Sequence, residues 1–174
     1  MKLTQKMQDA LNHQLNCEMM SSYLYLGMSN RLIELNFVGA SQWMRMQAEE
    51  ELVHAMKLYS YLQDRGGRVK LANLEATQEA GHWNDMVSVF KAALAHEELI
   101  STNFYEMVDL ALAERDHATN NLLQWFVAEQ VEEEATLVTL IQKLELVGTS
   151  GPGLFLLDQE LATRVSIVTI QTAP

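Results

Sequence analysis

A glutamate and a histidine three residues apart, Glu51 and His54, are the residues whose type and spacing most directly suggest chemistry. On an α-helix this spacing puts both side chains on one face, where they can hold a single metal ion. The rest of that face is mostly apolar and includes Met44, Ala48 and Leu58. Because burying an unpaired carboxylate is costly, a carboxylate on such a face needs a positive partner. The pair therefore predicts a metal site, although surface helices also carry this motif.

Three more glutamates lie on the apolar faces of other predicted helices: Glu18, Glu97 and Glu133. Each of them, like Glu51, stands near the middle of its helix, and antiparallel helices of similar length place their midpoints at one level. Four carboxylates should therefore meet in one layer, where no Lys or Arg shares their faces within two turns. Protonation, water or cations must compensate them. Two divalent cations would neutralise four carboxylates, and oxygen ligands with one imidazole suit iron or manganese.

Further glutamates flank this predicted layer. Glu50 and Glu132 lie about 100° around their helices from Glu51 and Glu133, at the edge of the apolar face. Glu129 shares the face of Glu133 one turn away. Together these carboxylates could hold a third, more open ion.

Other polar and aromatic side chains near the layer have less definite interpretations. Tyr25 lies two turns from Glu18 on the same face, where it could pack with a satisfied hydroxyl or take a redox or hydrogen-bonding role. Trp125 is interpreted as a packing residue rather than an electron donor. Glu49 points away from the layer and Glu134 lies on a flank of its helix, and both are interpreted as solvated.

The cysteine and the remaining histidines add little chemistry. Cys17 is the only cysteine, which excludes an intramolecular disulfide and favours a packing role. His96 precedes Glu97 but faces about 100° away from it, so it is not expected to be a ligand. The isolated histidines are expected at the surface: His13, His82 and His117.

The helices that must position these residues follow from composition, because the chain is rich in helix formers and its two prolines are Pro152 and Pro174. Thr4 and Asn84 are expected N-caps, and Gly66 ends the second helix. We predict helices over about residues 5–35, 38–65, 84–114, 118–147 and 154–165. Residues 166–174 are left without a predicted element. Short links within each hairpin and a longer connection between them predict an all-α fold: a four-helix bundle with one long crossover and a short C-terminal fifth helix, as one domain over 1–174.

Composition limits the possible functions. Twelve basic against 23 acidic side chains give a net charge of −11, which argues against nucleic-acid binding by charge. No apolar run approaches the roughly 18 residues that a membrane span needs, and no apolar signal segment follows the first residues. A cytoplasmic protein without a membrane partner is the simplest expectation.

Several local strings occur together in this chain. They are Asn16-Cys17-Glu18 with Ser21, Ser22 and Tyr25, then residues 48–54, 96–100 and 123–134, and the Ser150–Leu154 turn before the fifth helix. Over about residues 3–165 the chain resembles the non-haem bacterial ferritins. The resemblance implies a ferritin-like fold, a homo-oligomeric shell of twenty-four subunits, and a ferroxidase that oxidises Fe(II) with O₂ or peroxide and stores Fe(III) mineral.

The resemblance also implies roles for individual residues. One iron site would comprise Glu18, Glu51 and His54, and a second would comprise Glu51, Glu97 and Glu133, with Glu51 bridging. Gln130 would support the ligands, and Tyr25 would match the family tyrosine beside the centre. A third site would comprise Glu50, Glu129, Glu132 and Glu133. Iron would then either move inward through this third site or stay at the centre as a cofactor.

Some positions depart from related families. Bacterioferritins carry a haem-ligating Met where this chain has Leu52, and a histidine where it has Glu133, so no haem is expected. Animal ferritins line an access channel with acidic residues where this chain has Asn120 and Leu123, which leaves the route of iron into the shell open.

The sequence leaves three alternatives open. A small diiron oxidase or peroxidase could use the same bundle without a shell, which the fifth helix disfavours. A purely structural or interaction bundle would fail to bind two ions per subunit. A DNA-protecting mini-cage would build its metal site between subunits rather than within one bundle.

Overall fold

The computed structural model describes residues 2–75 and 83–165. Its helices are α1 (Gln5–Glu34), α2 (Val38–Asp64), α3 (Met86–Ala113), α4 (His117–Val147) and α5 (Gly151–Leu161). The hairpin α1–α2 packs against the hairpin α3–α4, and α5 packs across α2 and α4. The predicted four-helix bundle with a crossover and a fifth helix is confirmed. No helix in the described ranges is both long and apolar enough to span a membrane.

The helix ends show which capping predictions were right. The hydroxyl of Thr4 accepts from the backbone N–H of Met7 at 3.1 Å, as expected of an N-cap. The prediction of Asn84 as the cap of α3 is wrong, because Asp85 takes that place. Asp85 accepts from the backbone N–H of Ser88, whose hydroxyl accepts from the N–H of Asp85 in return.

The start of α5 also differs from its prediction. The fifth helix was predicted to begin at about Leu154, but it begins at Gly151. Ser150 caps it, and Pro152 lies in the first turn, where its missing N–H costs no helical hydrogen bond. The helix also ends at Leu161, four residues before its predicted end.

A carboxylate of α5 caps α2. Phe37, the N-cap residue of α2, makes no side-chain capping hydrogen bond. Instead Asp158 accepts from the backbone N–H groups of Gly39 at 3.0 Å and Ala40 at 2.8 Å. A Cβ on Gly39 would lie 1.8 Å from the carbonyl oxygen of Asp158, so only glycine permits this approach. This contact fixes α5 across the start of α2.

The apolar core is divided into two clusters by a polar level in the middle of the bundle. One cluster combines the C-terminal halves of α1 and α4 with the N-terminal halves of α2 and α3, for example Met44 and Phe90. The other combines the opposite halves, for example Leu58 and Phe104. This arrangement requires antiparallel neighbours within each hairpin. It places the middle of all four long helices at the same level, where the candidate ligands lie.

Two sequence predictions fall outside the described residues. They concern His82, expected at the surface, and the tail 166–174, which was left without an element.

Candidate metal centre

The glutamates predicted to converge lie together at the polar level, in two groups that share Glu51. Glu18, Glu51 and His54 each offer a ligand atom within 4.8 Å of the others. Glu51, Glu97 and Glu133 form the second such group. The five side chains come from all four long helices, so the bundle itself sets their positions.

These groups are far less exposed than ordinary carboxylates. Glu18 and Glu97 are 0 % exposed, and Glu51 and His54 are 1 % exposed. Glu133 is half-buried at the edge of the cluster. Ionised carboxylates rarely occupy such places without a partner, because burial removes the water that stabilises their charge.

Three glutamine amides donate to the buried carboxylates. Gln14 donates to Glu18 at 2.7 Å, one turn along α1. Gln47 donates to Glu51 at 2.8 Å, the equivalent relation on α2. The amides of Gln14 and Gln47 orient these carboxylates but carry no charge, so they do not neutralise them.

The other amide contacts join different helices. Gln47 also donates to Glu133 of α4 at 3.0 Å, and Gln130 of α4 donates to Glu97 of α3 at 3.0 Å. Gln130 therefore contacts the candidate ligand Glu97, and its supporting role stays a prediction. Gln14 and Gln47 were not predicted as site residues, although both stand four residues before a candidate ligand, at the spacing of one helical turn.

Tyr25 takes the hydrogen-bonding role that the sequence left open. Its hydroxyl donates to Oε1 of Glu97, which joins α1 to α3. Burial, reinforced by the negative charge of Glu97, raises the pKa of Tyr25 well above its usual range. The phenol therefore stays protonated and can act as a donor.

Burial raises the pKa of several candidate ligands. It does so for Glu18, where the charge of Glu51 adds to the effect, and for Glu51, where Glu97 adds to it. For Glu133 burial is again the main cause, followed by the charges of Glu51 and Glu97. Proximity of like charges and loss of water thus act in the same direction. A cation among these groups would oppose both effects.

Several buried atoms of the cluster lack hydrogen-bond partners among the described residues: Oε2 of Glu18, Oε2 of Glu133, Nδ1 of His54 and Oε1 of Gln14. Nδ1 of His54 lies 3.5 Å from Oε2 of Glu51 but makes no hydrogen bond with it. The imidazole is held instead by the rings of Trp125 and Phe126, whose centroids lie 5.4 Å and 5.9 Å away. Unsatisfied carboxylate and imidazole atoms facing one cluster fit metal ligation, because each retains a free lone pair.

The three glutamates predicted to form a third site lie beside this centre. Glu50, Glu129 and Glu132 line a cavity of about 60 Å³ together with Glu133. Burial is the main cause that raises the pKa of Glu129. Glu133 thus borders both the buried cluster and this more open cavity.

A basic side chain that sequence reasoning missed also lines the cavity. Arg164, three residues after α5, forms an ion pair with Glu50. Its guanidinium lies 4.3 Å from the ring centroid of Trp43. Helical spacing could not reveal this contact, because Arg164 lies outside the four long helices and more than a hundred residues from its partner.

The predictions for the residues around the centre have mixed outcomes. The prediction that Glu134 is solvated is wrong. Glu134 lies on the flank of α4 that faces α3, and its carboxylate accepts from the hydroxyl of Ser101. Glu49 is half-buried rather than fully solvated. Trp125 packs on His54 and also has the ammonium of Lys57 at 3.9 Å from its ring centroid.

The other histidines that the structure describes, and Cys17, lie outside the two ligand groups. His96 is bound to the hydroxyl of Ser21 at 2.7 Å, away from the centre. His13 and His117 are exposed, as expected. Cys17 is partly buried, and burial raises its pKa to about 11. That pKa favours a protonated, weakly reactive thiol.

Comparison with known proteins agrees with this arrangement. Residues 8–147 match the model of the ferritin-like domain. The bacterial non-heme ferritin of Escherichia coli is 37 % identical over 161 residues, covering 92 % of this chain and 96 % of the relative. The protein of the same name from Bacteroides fragilis is 37 % identical over 162 residues, covering 93 % and 99 %.

Solved structures are similar over almost the whole chain. A closed form of the Archaeoglobus fulgidus ferritin, obtained by site-directed mutagenesis, superposes with a TM-score of 0.92 at 42 % identity, covering 95 % of this chain and 99 % of that one. The open-pore ferritin of the same archaeon gives 0.91 at 42 % identity, with coverages of 94 % and 98 %. The chain therefore belongs to the ferritin family, which binds and stores iron.

Proposed function

We propose that the chain is a ferroxidase: it oxidises Fe(II) with O₂ between its four long helices and stores the Fe(III) product inside a protein shell. The observation that carries this proposal is the position of Glu51, which belongs to both ligand groups. A carboxylate that serves two groups can bridge two ions and keep them close enough to act on one O₂ molecule.

The two ions are substrate, and their proposed ligands differ. One Fe(II) binds to Glu18, His54 and Glu51, and the other binds to Glu51, Glu97 and Glu133. Oxygen-rich ligand sets with a single imidazole suit iron. The negative charge of the carboxylates favours Fe(III) over Fe(II), because it stabilises the higher charge on the metal.

The reaction balances with the groups present. Two Fe(II) ions give one electron each to O₂, which takes up two protons and reaches the level of hydrogen peroxide. Binding of iron displaces protons from carboxyl groups with raised pKa, including Glu18 and Glu51. The ligands can thus supply protons when the metal arrives. Gln47 and Gln130 hold the carboxylates in position as protonation and charge change.

The proposed route of the product leads through the third site. Glu133 borders both the buried cluster and the cavity lined by Glu50, Glu129 and Glu132. An ion leaving the dinuclear centre can therefore exchange ligands in steps without entering apolar surroundings. Glu132 is exposed, which gives this cavity an outlet.

The proposed assembly is a homo-oligomeric shell of twenty-four copies, each one domain. The archaeal ferritins support this, since they match 95 % and 94 % of this chain. Light scattering should give a particle close to twenty-four times the 19.7 kDa chain mass. The proposed location is the cytoplasm, where a single free cysteine needs no oxidising environment.

O₂ uptake tests the ferroxidase proposal. Metal-free protein receives two Fe(II) per subunit in aerobic buffer, and wild type is compared with Glu51→Gln, which keeps the side-chain size. The exposed Glu98→Gln is the matched control. We expect a fast phase in wild type and Glu98→Gln, and its loss in Glu51→Gln. Equal fast phases in all three proteins would contradict the proposal.

A further inference from the structure

Arg164 lines the same small cavity as the glutamates of the proposed third site. Its guanidinium forms an ion pair with Oε2 of Glu50, one of the four glutamates that line the small cavity beside the buried cluster. Among the residues lining that cavity, Arg164 is the only basic one. It therefore supplies positive charge to a group of carboxylates that would otherwise repel each other.

The guanidinium is held from two further directions. It lies 4.3 Å from the ring centroid of Trp43, which gives a cation–π contact. It also donates to the backbone carbonyl of Trp43 at 3.4 Å. The Arg164 and Glu50 side chains are only 24 % and 15 % exposed, so water screens their ion pair less than a surface pair.

Hydrogen bonds of α5 and of the turn after it hold the backbone of Arg164 beside the cavity. Asp158 binds the start of α2 through Gly39 and Ala40, so α5 cannot move away from this side of the bundle without breaking that contact. The turn after α5 continues with a hydrogen bond from the backbone N–H of Arg164 to the carbonyl of Leu161 at 3.3 Å. Arg164 is thus tethered beside the cavity and can return whenever it is displaced.

We infer that Arg164 is a built-in counter-ion of the third site, which a metal ion must displace from Glu50 in order to bind there. This inference rests on the third site of the proposed function. Glu50 cannot give both oxygens to a metal ion while the guanidinium holds Oε2. The third site therefore fills only after the dinuclear centre, because Arg164 lines the cavity of the former and neither ligand group of the latter.

The test measures equilibrium binding of Co(II) to the metal-free shell by calorimetry without O₂, so that no oxidation is needed. Arg164→Gln removes the competing charge and should make the third Co(II) per subunit bind at least about tenfold more tightly than in wild type. The matched control is Lys143→Gln, which removes the exposed partner of Glu160 and one positive charge near α5. It should bind like wild type.

A second readout is the fluorescence of Trp43, the tryptophan on which the Arg164 guanidinium packs. In a background with Trp83→Phe and Trp125→Phe, which leaves Trp43 as the one tryptophan of the sequence, Co(II) binding at the third site should quench the emission of Trp43 with the same affinity as the third calorimetric step. Adding Glu50→Gln removes the group for which Arg164 and the metal compete. In that background the Arg164→Gln substitution should no longer change the affinity of the third ion.

Three results would overturn the inference and separate it from the proposed function. A third ion that binds Arg164→Gln no more tightly than wild type would show that Arg164 does not compete. An affinity gain that persists with Glu50→Gln would show that the effect does not pass through Glu50. If two Co(II) bind to every variant and no third ion binds even to Arg164→Gln, the third site itself is wrong, while the dinuclear centre stands.

Discussion

The hydroxyl of Tyr25 donates to a carboxylate oxygen of Glu97, and this contact joins α1 to α3 at the candidate metal centre. Tyr25 is 0 % exposed, so no water replaces the donor when it is removed. Tyr25→Phe leaves that oxygen without its donor and should lower the free energy of unfolding of the metal-free protein by about 1–3 kcal/mol. Chemical denaturation measures this.

Tyr23→Phe is the control for Tyr25→Phe, since Tyr23 is exposed. It should change the free energy of unfolding by less than about 0.5 kcal/mol. Two Co(II) should still bind to Tyr25→Phe, because the hydroxyl is outside both proposed ligand sets. Equal stabilities of the two variants would contradict a structural role for the contact.

The contact between α5 and α2 makes a second prediction. Asp158→Ala removes the acceptor for two N–H groups in the first turn of α2 and should cost about 1–2 kcal/mol of unfolding free energy. Asp109→Ala, on the exposed side of α3, is the control. Thermal denaturation that shows the same midpoint for both variants would exclude the capping role.

Gly39→Ala tests the same contact by sterics. The new Cβ would lie 1.8 Å from the backbone of Asp158, so α5 must shift and the stability should fall by more than in Asp158→Ala. Gly151→Ala is the matched control, because no atom lies within 4 Å of its added Cβ. Hydrogen exchange of α5 should accelerate only in Gly39→Ala. Unchanged exchange in Gly39→Ala would refute the close approach.

The pH dependence of stability follows from the raised pKa of Glu133. Below the ordinary value of 4.5 both the folded and unfolded chains hold the proton, so the group costs nothing. As the pH rises above that value, the unfolded chain releases the proton first, and the metal-free fold loses up to about 1.4 kcal/mol per pH unit until the raised pKa is reached.

Glu133→Gln removes this titration, and the carbonyl oxygen of the new side chain can still accept from Gln47. The variant should therefore gain stability over the metal-free wild type as the pH rises above 4.5. Urea denaturation at several pH values measures the difference. A difference that stays constant, or that shrinks with rising pH, would mean that Glu133 is not destabilised by burial and neighbouring charge.

Helical periodicity was enough to predict the bundle and its central layer of carboxylates. Glu18, Glu51, Glu97 and Glu133 stand at the middle of long helices, and the short links within each hairpin bring those middles to one level. Local capping was less predictable. Asp85 replaced the expected Asn84 because only Asp85 can exchange hydrogen bonds with Ser88 three residues later.

Contacts that depend on the fifth helix were beyond sequence reasoning. Asp158 caps α2 across 119 residues, and Arg164 reaches Glu50 across 114. Neither pairing has a local signal, because it depends on how α5 packs across the bundle. The prediction that Glu134 is solvated was wrong for a related reason. The angle of a residue on its helix does not say how closely the neighbouring helix approaches.

In the proposed function Glu51 bridges two iron ions within one subunit. Crystals soaked aerobically in Fe(II), with anomalous scattering measured at the iron edge, test it most directly. We expect two peaks on opposite sides of the Glu51 carboxylate, one beside Glu18 and His54 and the other beside Glu97 and Glu133. A single peak, or iron found only away from Glu51, would contradict it.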